Sequence, residues 1–130
     1  MDEHEVASLS LEGLAVMADF MSLYSTHLSI YLTLLFAYCG GMYIAGAKLD
    51  RVQLLVATAV FVIAAELQAM GMYAWIAAAE GVVIRLQELN PALEAKHNFD
   101  LRRVIGIPLW QAGIIASLLF TWRVRHPKTE

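Results

Sequence analysis

The sequence predicts an all-α integral membrane protein with three transmembrane helices, and two observations carry that prediction. The first is composition. Of 130 residues, 59% are hydrophobic and 16% are charged, whereas soluble chains average about 45–50% and about 25%. One core in a domain of this size cannot hide that excess, so lipid must solvate much of it. The second is the spacing of the charges, which leaves three long apolar stretches separated by short polar ones.

Helix one comes first. From Phe20 to Ala47 there is no Asp, Glu, Lys or Arg. A helix needs about 20 apolar residues to cross about 30 Å of hydrocarbon, which places the first span at about 20–47. Lys48, Asp50 and Arg51 then make a short polar turn. The next apolar run, Val52 to Ile84, is broken only by Glu66 and Glu80. At about 1.5 Å per residue, a second helix over about 52–84 is longer than a bilayer is thick. It is expected to leave the membrane near Trp75 and continue as an exposed amphipathic arm.

Residues 85–103 read as a polar loop. Asn90-Pro91 is a turn or helix-restart signal, and Lys96-His97-Asn98-Phe99-Asp100 reads as irregular chain. The third span covers 104–122. Pro108 sits in its first turns, where proline costs least. Residues 123–130 form a polar tail. Residues 1–19 leave two alternatives open: an N-terminal interfacial helix, with Leu9, Leu14, Met17, Phe20 and Met21 as its apolar face, or the first turns of a long helix one. The whole is one transmembrane domain without an internal repeat.

Several function classes lose support on sequence grounds. The formal charge is −3 and the nine Lys and Arg are scattered, so nucleic acid is not an expected partner. Cys39 has no second cysteine to pair with and reads as a small packing residue. No basic segment precedes the first apolar run, so no cleaved signal peptide is expected. There is no Gly-rich phosphate loop, paired Cys, HExxH or GxSxG, so neither an enzyme nor a bound cofactor is expected. A lone membrane histidine, His27, could ligate haem, but His4, His97 and His126 are terminal or in loops. A hydrogen bond from His27 to a Ser, a Tyr or Glu66 of a neighbouring helix is the stronger reading.

The candidate functional residues are the polar ones inside apolar stretches, because each is costly in hydrocarbon without a partner. At 100° per residue, Ser22, Thr26, Ser29 and Thr33 fall within about 60° of one another on helix one. Gly40 continues the line and Asp19 lies near its outer end. Such a stripe serves either close helix packing or the wetted wall of a pathway. Glu66 lies about 21 Å along helix two, too deep to reach the entry-side surface. It needs a proton, a partner or water. Tyr73 and Glu80 share its side of the helix. In a ring of identical subunits, Glu66 and Glu80 would form two carboxylate rings, which favour cations.

Arg102, Arg103, Arg123 and Arg125 flank helix three as lipid-headgroup anchors, and Trp110 and Trp122 fit an aromatic belt. The basic residues are almost evenly split between the two sides. The absence of any from the N-terminal segment favours the N-terminus outside and the C-terminus in the cytoplasm. The expected partners are the lipid bilayer and further copies of this chain or other membrane subunits. The expected function is a small homo-oligomeric channel or pore that prefers cations. The alternative is a non-catalytic accessory or anchor subunit of a larger complex.

Overall fold

A computed structural model describes residues 3–89 and 99–126, which form three α-helices and no strand. They are α1 (Glu3–Ala45), α2 (Arg51–Leu89) and α3 (Phe99–Arg125). Each is long and apolar enough to cross a membrane, as a multi-pass membrane protein requires. The turn expected at Asn90-Pro91, the Lys96-His97-Asn98 segment and the end of the tail, Pro127 to Glu130, lie outside the described residues.

The packing of α1 on α2 follows from a heptad pattern. Met17, Met21, Tyr24, Leu28, Tyr31, Leu35, Tyr38 and Met42 alternate spacings of four and three, and all belong to the core. Alternation at 3.5 residues per turn keeps one seam facing one neighbour along a long helix. The facing seam of α2 is small: Ala65 and Ala79 are fully buried, as is Met72, and Ala69 is nearly so. Large side chains of α1 therefore fill spaces left by alanines of α2, and the two backbones can run close together. Tyr38 stacks on Phe61 with ring centroids 4.0 Å apart, and its hydroxyl shares a 2.9 Å hydrogen bond with that of Thr58.

The connection between α1 and α2 is set by two local devices. Gly46 follows the end of α1 and leaves no room for a side chain, since a Cβ at that position would lie 2.4 Å from the Met42 carbonyl oxygen. Asp50 then starts α2 as one half of a capping box. The Gln53 N–H donates to Asp50 Oδ1 at 2.8 Å, and the Asp50 N–H donates to Gln53 Oε1 at 3.2 Å. Two of the N-terminal donors that a helix leaves over are thereby satisfied. Asp50→Ala is expected to cost about 0.5–2 kcal/mol of stability, read as a lower unfolding temperature in detergent.

Of the two alternatives left open for the N-terminal segment, residues 3–19 take the second and form the first turns of a long α1. Neither proline nor a stop signal interrupts them, and Gly13 lets α2 approach so closely that a Cβ there would meet Leu86 Cδ2 at 2.6 Å. The end of α2, expected as an exposed amphipathic arm, is paired along one side, with Val83 8% exposed and Ala79 sealed, while Ile84 and Leu89 are exposed. The polar segment 85–103 is shorter than predicted, because α2 runs to Leu89 and α3 starts at Phe99. Helix α3 likewise outlasts the span at 122 and ends at Arg125.

Pairwise contacts fix the relative heights of the helices. Phe20 faces Trp75, His27 faces Gln68 and Tyr38 faces Thr58 across antiparallel α1 and α2. Across α1 and α3, which run parallel, Tyr31 meets Trp110, and Arg125 Nη1 donates to the Leu49 carbonyl at 3.3 Å just past the end of α1. Set against Val104–Trp122 of α3, this register puts about residues 25–43 of α1 and about 54–72 of α2 at the same height, given a rise of about 1.5 Å per residue. That common layer is about 28 Å tall, close to the thickness of bilayer hydrocarbon. Glu66 is the one Asp, Glu, Lys or Arg within it. Above it, α1 and α2 continue together as a paired two-helix arm.

Candidate functional site

Glu66 sits about 5 Å from the middle of the apolar layer and is half-buried. Its partner is Gln111 of α3, whose Nε2 donates to Glu66 Oε2 at 3.0 Å. Gln68 lies two residues along α2, about 160° around the helix, and serves the other neighbour. His27 Nδ1 of α1 donates to Gln68 Oε1 at 2.6 Å. The third helix pair is joined by the Tyr31 hydroxyl, which donates to the Trp110 carbonyl. A polar layer at one height thus ties each helix to the other two. In an apolar medium each such bond removes the penalty of an unpaired polar group.

Two glycines make this layer possible. An ideal Cβ at Gly71 would lie 2.7 Å from His27 Cε1, so the imidazole lies directly against the backbone of α2. One at Gly113 would lie 2.5 Å from the Tyr31 hydroxyl and 3.2 Å from Leu35 Cδ1. Below the layer, Ser117 and Thr121 are buried on α3 and donate back to the carbonyls of Gly113 and Ser117. They leave a small, satisfied face on which the core of α1 and α2 can settle.

The stripe on α1 points the other way. Ser22, Thr26, Ser29 and Thr33 are all exposed, on the face about 160° from the core seam. Thr26 donates to the Ser22 carbonyl at 3.0 Å and Thr33 to the Ser29 carbonyl at 2.8 Å. The Ser29 hydroxyl donates to nothing among the described residues. Nothing stands within 4 Å of a Cβ built at Gly40. Asp19 is exposed and lies above the apolar layer, and Glu80 is half-buried about 12 Å beyond that layer on α2. One protomer therefore does not bring the hydroxyl stripe together with Glu66, nor Glu66 with Glu80.

The flanking residues divide. Trp122 is 65% exposed and stacks on His126 at 4.2 Å, and Arg123 is exposed. Trp110 departs from the expected belt position: it is 5% exposed, with its ring 6.5 Å from that of Tyr24. Its place at the centre of the helix contact, where its carbonyl takes the Tyr31 hydroxyl, keeps it from the headgroups. Arg125 is half-buried and gives one of its guanidinium N–H groups to the Leu49 carbonyl. Arg102 and Arg103 belong to the first turns of α3, and their side chains lie outside the described residues.

Gln68, Gln111, Gly71 and Gly113 were missed in the sequence. The amides carried a usable signal, since a neutral amide at mid-span is nearly as anomalous as a carboxyl. Among the described residues, no three His, Cys, Asp or Glu side chains converge to hold a metal ion. Comparison with protein-family models, with curated proteins and with solved structures finds no match to this chain. The functional reading therefore rests on the chemistry of the polar layer.

Proposed function

We propose that this chain forms a small homo-oligomeric, cation-preferring passage through a bilayer, with Glu66 as its acidic group, the N-terminus outside and the C-terminus in the cytoplasm. The observation that carries the reading is Glu66 itself. It is the one Asp, Glu, Lys or Arg in a layer about 28 Å tall, and it lies half-exposed on the flank of the bundle, where it is not sealed in the core. A carboxyl so placed is costly against lipid and useful against water. Three helices enclose no channel, so water can reach it only at a boundary between subunits, and closed cyclic symmetry is the default for such an assembly. Purified protein reconstituted in liposomes should release a cation gradient, and its mass in detergent should be a discrete multiple of the chain. A silent wild type ends this reading.

A second reading is favoured by the paired arm of α1 and α2, which rises above α3 and exposes Leu11 and Leu14. There the chain is an accessory or anchor subunit, and the arm docks on other membrane subunits. A monomer that co-purifies with different chains would select it.

A further inference from the structure

We infer that neighbouring copies assemble head to tail, so that the Ser29 hydroxyl of one protomer donates into the Glu66–Gln111 site of the next, beside Thr33, whose own hydroxyl is held by the Ser29 carbonyl. The inference rests on the homo-oligomeric reading above and specifies its interface. Glu66 and Gln111 lie at the height of Tyr31 on α1, because Tyr31 meets Trp110, the residue before Gln111. Ser29 and Thr33 bracket Tyr31, so they share that height to within about 3 Å. Rotation about an axis normal to the membrane preserves height. Any ring of this chain that sets the outer face of α1 against the flank of α2 and α3 therefore brings those hydroxyls level with the neighbouring carboxyl.

Chemistry selects this pairing over a face-to-face contact between two copies of α1. Among the described residues Glu66 receives one donor, Gln111, while a carboxylate offers about four acceptor sites. The Ser29 hydroxyl is a donor with no acceptor among the described residues. A face-to-face contact would join hydroxyls to hydroxyls and leave Glu66 against lipid in every subunit. The head-to-tail contact places a spare donor beside a carboxyl short of donors. It also repeats from subunit to subunit, which an isologous contact does not. The small side chains of the stripe let the neighbouring backbone come close enough for those bonds.

Disulfide trapping in liposomes tests the arrangement in full-length chains carrying Cys39→Ser. Thr33→Cys combined with Ile63→Cys, and Thr26→Cys combined with Met70→Cys, join positions of matched height on the two proposed faces. Each double variant should give a ladder of dimers, trimers and higher species on oxidation, and each single variant should stay monomeric on a denaturing gel. Dimers from Thr33→Cys alone would show the face-to-face contact and overturn the inference. An oligomeric mass without cross-linking in either pair would overturn it too, while leaving the homo-oligomer standing. A monomeric mass would remove both.

Discussion

Glu66→Gln is expected to lower the cation-over-anion permeability of the reconstituted protein by about tenfold, which corresponds to about 1.4 kcal/mol. The substitution separates charge from architecture. A glutamine Oε1 still accepts from Gln111 Nε2, so the link between α2 and α3 survives. What disappears is the one acidic side chain in the apolar layer, and with it, in the proposed passage, the group that would favour cations. Reversal potentials under a salt gradient measure the change, and unfolding in mixed micelles checks that the fold is unaltered. Glu66→Leu provides the contrast. It leaves the Gln111 amide without its acceptor and should cost about 1–3 kcal/mol of stability. Unchanged selectivity in a folded, conducting Glu66→Gln protein would remove Glu66 from the pathway.

The fold was legible in the sequence because hydrocarbon imposes a coarse rule. Long charge-free runs separated by Lys48-Asp50-Arg51 and by the polar stretch after Ile84 leave little choice but three apolar helices. Finer features followed from local signals that a hydropathy reading passes over. Tyrosines at every seventh position, Tyr24, Tyr31 and Tyr38, mark the inner seam of α1. Asp50-x-x-Gln53 marks the start of α2. Glu66 was visible as an anomaly of charge, but its partner was not. Nothing along the chain says that Gln111 arrives at the same height, since that depends on how α3 docks after residues 90–98. Trp110 was misplaced for a related reason: tryptophan is common both at headgroups and in tight helix contacts, and only tertiary packing chooses between them.

The largest structural effect is expected at Gly113. Gly113→Leu should destabilise the bundle by about 3 kcal/mol or more, at or above the upper end of overpacking costs, whereas Gly40→Leu should be nearly silent. The two glycines differ only in what surrounds them. A Cβ at Gly113 already stands 2.5 Å from the Tyr31 hydroxyl and 3.2 Å from Leu35 Cδ1, while a Cβ at Gly40 meets nothing within 4 Å. The tyrosine can yield only by giving up the Trp110 carbonyl, which strands a phenol in an apolar contact. Its ring cannot retreat along α1 either, because Leu28 and Leu35 occupy the same seam one turn away on each side. The strain must then be relieved by moving α3 away from α1, and that motion also loosens Gln111 from Glu66. Unfolding titrations in mixed micelles report the stability loss. Gly113→Ala should fall between the two, and a Gly113→Leu protein as stable as wild type would show that α3 does not pack on Tyr31 as described.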